Sequence, residues 1–307
     1  MNLSEHTDER GDAKMDVERY RVKENQKVKL GDFATRRDVD VDKNEVKEDW
    51  MPANLSKMAE LQEKLFAEDQ YSVLVVFQAM DAAGKDGAIK HVMSGFNPQG
   101  VHVSSFKVPS GEENDHDYLW RIHKQTPRRG EIGIFNRSHY EDVIVARVHD
   151  LVEKSQIPPE LVTEAIWEQR YRQIRDFERH LAENGTCILK FFLHVSKDEQ
   201  RERLLDRINK PEKNWKFSAG DTYERQHWDE YMQAYEKMLR ETSTESAPWY
   251  VLPADNKWYT RFLVSEVILN KLKELDLHYP ALSQEDAAEM EKAKSVLEAD
   301  AAKEGKE

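Results

Sequence analysis

Cysteine is almost missing from this chain. Cys187 is the only one in 307 residues, so no intrachain disulfide can form, and a reducing cytoplasm is the expected setting. Long apolar runs are missing too. No stretch approaches the ~20 apolar residues that cross a bilayer, and residues 1–20 lack the apolar core of a secretory leader. A soluble, intracellular protein with no membrane contact is expected. Glycine and proline number only 12 and 10, which excludes collagen-like and low-complexity architectures. Positive charge is the remaining shortage: 46 Lys and Arg against 59 Asp and Glu leave a formal charge of −13. That balance argues against a general nucleic-acid binder, whose affinity comes from neutralising phosphates. Any polyanion must be met by a local patch.

What is present reads as a folded, helix-rich enzyme, 39% hydrophobic and 34% charged. Residues 1–50 are charged and short of large apolar side chains, which suggests an arm over the core or a mobile tail with little chemistry. A main domain is expected over 51–280 and a charged, solvated tail over 281–307. Within the main domain, Leu55, Met58, Leu61, Leu65 and Phe66 recur at helical spacing, and an apolar β-branched run follows over 71–77. The alternation continues with strands over 101–106, 131–135, 186–195 and 249–252. Helices are predicted over 115–124, 159–183 and 196–209. Another spans 221–242, opened by Asp221 as an aspartate cap. Continuous apolar strands alternating with helices predict a three-layer α/β/α fold with a parallel central sheet.

The segment Gln78-Ala79-Met80-Asp81-Ala82-Ala83-Gly84-Lys85-Asp86-Gly87 follows a strand and opens a helix, the place of a phosphate-binding loop. Small residues there let backbone N–H groups converge on phosphate oxygens, the helix N-terminus adds positive potential, and Lys85 adds a point charge. Ala83, Gly84, Lys85, Asp86 and Gly87 are therefore phosphate-binding candidates. The match to G-x-x-x-x-G-K-[ST] is imperfect, because Ala79 replaces the first glycine and Asp86 the magnesium-binding hydroxyl. Asp81 is unusual beside phosphates and suits a residue that holds magnesium or positions the acceptor.

Asn136-Arg137-Ser138-His139-Tyr140-Glu141-Asp142 stands beyond the carboxyl end of a predicted strand, where parallel sheets place ligand groups. Asn136 occupies the position that ordinarily offers an aspartate to metal, so Asp142 is a candidate to supply that carboxylate. Nucleotide contacts are expected from Asn136, Glu141, Asp142 and Arg121, and metal contacts from Asp81 and Asp142. Arg121, Lys124, Arg128 and Arg129 precede the strand as a basic wall, and with Lys90 they are expected near the path of a polyanion. A solvated charged face is the competing reading of that cluster. Residues 200–222 form a basic helix running into a Pro-containing loop, read as a helical lid whose Arg207 and Lys216 close over phosphates; a plain surface helix is the alternative.

Together the loop Asp81-Ala82-Ala83-Gly84-Lys85-Asp86-Gly87, the strand-end segment and Pro211-Glu212-Lys213-Asn214-Trp215-Lys216-Phe217-Ser218 resemble family-2 polyphosphate kinases over about residues 30–280. The resemblance implies a P-loop kinase fold and transfer of the terminal phosphoryl group of inorganic polyphosphate to AMP or ADP, forming ATP in the working direction. It implies catalytic roles for Asp81, Lys85, Arg137 and Arg207, a magnesium cofactor with manganese as an alternative, and a homo-oligomer. The Asn-Arg-Ser and Glu-Asp pattern looks like the subgroup that uses both AMP and ADP. The competing functions are an ATP-dependent nucleoside monophosphate kinase, against which Ala79 and Asp86 argue, and a non-catalytic nucleotide or polyphosphate regulator.

Overall fold

The computed structural model describes residues 15–304, so the first fourteen residues of the charged arm and the last three of the tail lie outside the described residues. The strands are β1 (Arg21–Val22), β2 (Ser72–Gln78), β3 (Val101–Ser105), β4 (Ile132–Asn136), β5 (Thr186–His194) and β6 (Trp249–Pro253). They form one sheet in the order β1-β6-β5-β2-β4-β3. All neighbours pair in parallel except β1, which pairs antiparallel with β6. Every residue of β2 is buried, as expected for a central strand covered on both faces, and β-branched Val73, Val75 and Val76 suit that pleated setting.

In chain order the helices are α1 (Lys43–Glu45), α2 (Met51–Glu68), α3 (Lys85–Val92), α4 (Trp120–His123), α5 (Val145–Val148), α6 (Ile166–Glu183), α7 (Lys197–Asn209), α8 (Ala219–Glu224), α9 (Trp228–Thr242), α10 (Lys257–Glu274) and α11 (Gln284–Glu304). The chain divides into a large unit ending at Leu277 and a short one from His278. In the short unit α11 exposes Met290, Val296 and Leu297. Residues 15–50 belong to the large unit and bury Val17, Tyr20, Val22, Val28, Leu30 and Val46.

Several elements differ from the sequence reading for physical reasons. The helix expected over 115–124 shrinks to α4, because a Ser110 capping box starts a separate 3-10 turn, Gly111–Asp115, that breaks at extended His116. The helix expected from Pro159 begins at Ile166, and Pro159–Leu161 is a separate turn. Asp221 does not cap a helix. Ser218 caps α8 by accepting from the Gly220 amide, and the Asp221 carboxylate pairs with Arg207. Helix α10 escapes the periodicity reading because residues on all its faces are buried, from Tyr259 through Leu272. Cys187 sits partly buried in β5, and burial pushes its thiol up to about 12. Among the described residues, no helix is long and apolar enough to cross a membrane.

One glycine in the sheet is required by packing. A Cβ on Gly133, in the middle of β4, would lie 2.9 Å from Pro127 Cδ and 3.1 Å from its Cβ and Cγ. Gly133→Ala is therefore expected to destabilise the protein by about 1–3 kcal/mol, read as a lower urea midpoint at unchanged denaturant slope.

Candidate active site

Because β2, β4 and β5 run parallel, their carboxyl ends share one edge, and the loop after β2 meets the segment after β4 there. Ala82 and Gly84 adopt left-handed backbone angles, φ 62° and 111°, which bend the loop sharply before α3 begins at Lys85. Ala82 has a Cβ, so its left-handed geometry costs energy and needs support from outside the loop. Arg203 of α7 supplies it. Its guanidinium, almost fully buried, donates to the carbonyls of Ala82 (3.1 Å) and Ala83 (2.5 Å) and to those of Ala254 (2.7 Å) and Asp255 (3.1 Å). Gln200, one turn earlier, donates to the Asp81 carbonyl at 3.1 Å. With these three carbonyls held by α7 and the Ala83 amide bonded to the Met80 carbonyl at 3.2 Å, the Gly84 amide and the first amides of α3 are the N–H groups left for an anion.

The loop opens into a cavity of about 640 Å³. Its wall carries nine Lys and Arg side chains against three Asp, a strong local reversal of the −13 chain. Lys85 donates to the Ala79 carbonyl at 3.0 Å; burial lowers its pKa, and the Asp81 carboxylate works in the opposite direction. From the lid come Arg207, Lys213 and Lys216, and from α10 come Lys257 and Arg261. Arg207 is tied to Asp221 and reaches the Lys216 carbonyl at 3.4 Å, which joins the two ends of the lid.

Arg137 stands at the end of β4 in a left-handed conformation, φ 65°. It donates to Asp81 at 2.9 Å and faces Glu141 at 3.7 Å. Burial alone would lower the guanidinium pKa, but the Glu141 and Asp81 carboxylates outweigh it and hold the group raised. Burial raises the Glu141 carboxyl against the pull of Arg137 and Lys85. Asp86, in place of the loop hydroxyl, and Asn136, in place of the strand-end aspartate, are complementary: Asn136 donates its side-chain amide to the Asp86 carboxylate at 2.8 Å.

A second cavity of about 350 Å³ adjoins the first, sharing Phe106, Lys107, Val108 and Arg137 in their walls. Val108, Pro109, Val145, Ala146, Leu151 and Val152 make much of its lining apolar, while Arg121, Glu141, Asp142 and Arg170 supply charge. Arg121 is held by the Lys107 carbonyl at 2.7 Å, lies near Glu113 at 3.5 Å, and keeps an unpartnered, buried Nε. Burial raises Asp142 to about 6, with Arg170 and Arg121 opposing that rise.

The structure thus gathers Asp81, Ala83, Gly84, Lys85, Asp86, Gly87, Asn136, Arg137, Arg207 and Lys216 around the first cavity, and Arg121, Glu141 and Asp142 around the second. The structure departs from the sequence expectation at Arg128, Arg129 and Lys90. Arg128 and Arg129 precede β4 and so lie at the amino edge of the sheet, about 13 Å of strand away from the site edge. There Arg129 donates to the Gln70 carbonyl. Lys90 lies on the exposed face of α3 and does not line the cavity. Asp142 lines the second cavity and Asp81 the first, the two cavities adjoining at Arg137.

Sequence reasoning missed Arg203, Lys107, Lys213, Lys257 and Arg261. Arg203 was legible only as one of several arginines in a charged helix, and Lys257 and Arg261 sit on the helix that periodicity did not reveal. Among the described residues no group of three or more His, Cys, Asp or Glu side chains could hold a metal. Magnesium keeps several waters and is held by one or two carboxylates plus substrate phosphates, and the cavity wall offers the carboxylates of Asp81, Asp86 and Asp206, of which Asp81 lies within the phosphate loop beside Arg137.

A family model described as polyphosphate kinase 2 matches residues 40–280. The chain is 51% identical over 269 residues, 87% of this chain and 93% of the relative, to an ADP-polyphosphate phosphotransferase of Rhodopseudomonas palustris. It is 56% identical over 224 residues, 73% and 80% of the two chains, to an AMP/ADP-polyphosphate phosphotransferase of Meiothermus ruber. The crystal structure of polyphosphate kinase 2 from Arthrobacter aurescens is similar at a TM-score of 0.82 and 42% identity, covering 91% of this chain and 96% of that one.

Two measurements probe this geometry. Arg203→Met frees four loop and strand-end carbonyl ties at once and should raise the apparent KM for the phosphate donor at least tenfold, roughly the loss of one to two charged hydrogen bonds, while the acceptor KM moves little. Asp142 ionises in the unfolded chain near an ordinary 3.8 and in the folded protein at about 6. The folded state therefore holds the extra proton between those values, and the contribution of Asp142 to stability falls as pH rises through that window. In Asp142→Asn this component should vanish, raising the urea midpoint at pH 7 relative to that at pH 4.5 when compared with the parent protein.

Proposed function

The chain belongs to the polyphosphate kinase 2 family, and from that premise we propose how its two cavities divide the substrates of a polyphosphate-dependent nucleotide kinase. The cationic cavity takes the end of the polyphosphate chain, and the partly apolar cavity takes AMP or ADP. The carrying observation is their junction at Arg137, where a wall of nine cations meets a slot with an apolar lining suited to a base and ribose. The donor's terminal phosphoryl group and the acceptor's phosphate then approach on either side of one guanidinium.

Phosphoryl transfer of this kind needs no covalent intermediate. It depends on in-line positioning and on stabilising negative charge spread over the moving group. The loop amides and Lys85 hold the donor, Arg137 spans both substrates, and Arg207 with the lid lysines closes over the phosphates and excludes water. Glu141 and Asp81 keep Arg137 charged and aimed. Magnesium, when bound, offsets charge on the phosphate oxygens, and Asp81 would hold it. The same reading takes a cytoplasmic setting, ATP formation as the working direction and a homo-oligomer as the assembly, each as part of the proposal that rests on the family assignment.

The test is purified protein with magnesium, long-chain polyphosphate and either AMP or ADP, without ATP, followed by nucleotide chromatography. New ADP or ATP is expected with both acceptors, reduced at least 100-fold in Lys85→Ala, the scale of losing one phosphate-stabilising charge. AMP phosphorylation only when ATP is supplied would instead mark a nucleoside monophosphate kinase. Silence in both assays would mark a binding protein.

A further inference from the structure

The segment that carries Arg137, Glu141 and Asp142 rests on three fully buried residues, Ser138, His139 and Tyr140, each 0% exposed. Beneath them lies a charged network that the reaction as described does not use. Tyr140 donates its hydroxyl to Glu178 Oε1 on α6 at 2.6 Å. Lys190, in the middle of β5 and also 0% exposed, donates to Glu178 Oε2 at 2.6 Å, to the Tyr140 hydroxyl at 2.9 Å and to the Thr242 carbonyl at 2.7 Å. Thr242 is the last residue of α9, where helix carbonyls lack intrahelical partners. Its hydroxyl accepts from the Trp249 indole at 2.9 Å, and the Trp249 ring packs edge-on against Tyr140 with centroids 4.8 Å apart.

We infer that Lys190, Glu178 and Tyr140 are positioning residues that set the register of the strand-end turn, and through it the places of Arg137 and Asp142 against the acceptor nucleotide. The inference rests on the reading of the second cavity as the acceptor site. A buried ion pair is a poor way to hold helices to a sheet, since apolar residues of equal volume do that as well or better. What apolar residues cannot do is fix one hydroxyl in direction as well as distance. The Tyr140 hydroxyl is fixed in that way, between an ammonium and a carboxylate that are themselves anchored on β5 and α6. The turn above needs such an anchor, because Arg137 holds a left-handed angle unfavourable for a residue with a Cβ. Its other supports include the Arg137 amide on the Phe77 carbonyl at 3.3 Å, Gln78 on the Ser138 hydroxyl at 3.2 Å, Arg170 on the Asp142 carbonyl at 2.5 Å and the Arg137 bond to Asp81 at 2.9 Å.

Steady-state kinetics on the full chain decide the matter, using Tyr140→Phe, the paired Lys190→Met with Glu178→Met, and Arg137→Ala, each with its urea midpoint. Tyr140→Phe keeps the ring and the Lys–Glu pair and removes only the hydroxyl, so it serves even if the paired variant fails to fold. We expect the acceptor KM to rise or kcat to fall about tenfold, the scale of a sub-ångström misplacement of reacting groups, with the polyphosphate KM within twofold. The paired variant should keep its urea midpoint and show the same acceptor-side loss. Unchanged kcat and both KM values in Tyr140→Phe, with Arg137→Ala impaired, would overturn the inference. So would losses that move both KM values together and follow the urea midpoint. Arg137→Ala with unaltered acceptor kinetics would remove the acceptor-site reading itself, and the inference with it.

Discussion

The guanidinium of Arg203 decides which way the phosphate loop faces. A peptide that turns its carbonyl toward one side turns its N–H toward the other, so binding the Ala83 carbonyl from behind turns the Gly84 amide toward the cavity that Gly84 lines, while the Ala83 amide closes the loop on the Met80 carbonyl. The same guanidinium holds the carbonyls of Ala254 and Asp255 at the end of β6. One side chain therefore joins the loop after β2, the segment after β6 and the base of the lid. Left-handed Ala82 is tolerated because these ties are in place.

Electrostatics explains how an acidic chain can serve a polyanion. The excess acid lies elsewhere on the surface, while the wall of the large cavity is cationic. Local pairing then tunes individual groups. Arg137 stays charged between Asp81 and Glu141. Asp86 and Asn136 satisfy each other across the edge of the sheet, so the acid that replaces a loop hydroxyl is matched by the amide that replaces a strand-end aspartate. An acid at the loop position is thereby compatible with an amide at the strand end.

The sheet, the phosphate loop and the strand-end segment were legible because each has a local signature: an apolar β-branched run, a small-residue turn before a helix, a cluster of polar groups beyond a strand. Distance in sequence misled where chain direction mattered. Arg128 and Arg129 are only a few residues from Arg137, yet a strand lies between them and carries them to the opposite edge of the sheet. Arg203 and Arg207 lie one turn apart on the same helix, and nothing in their spacing tells which is buried against carbonyls and which closes the lid. Helix α10 has no polar stripe to reveal its period, since it is enclosed by the core. The buried Lys190 reads in sequence as an interruption of an apolar strand, and its partner Glu178 is twelve residues away on a different element.

Cys187 has a practical consequence. A thiol pushed up to about 12 holds almost no thiolate at neutral pH, and the thiolate is the species that reacts with alkylating and oxidising reagents. The native chain is in this sense chemically silent toward maleimides. A single cysteine placed on the lid, at the exposed Trp215 for instance, would be the one site to take up a fluorophore or spin label, and opening and closing could be watched without first removing a native residue.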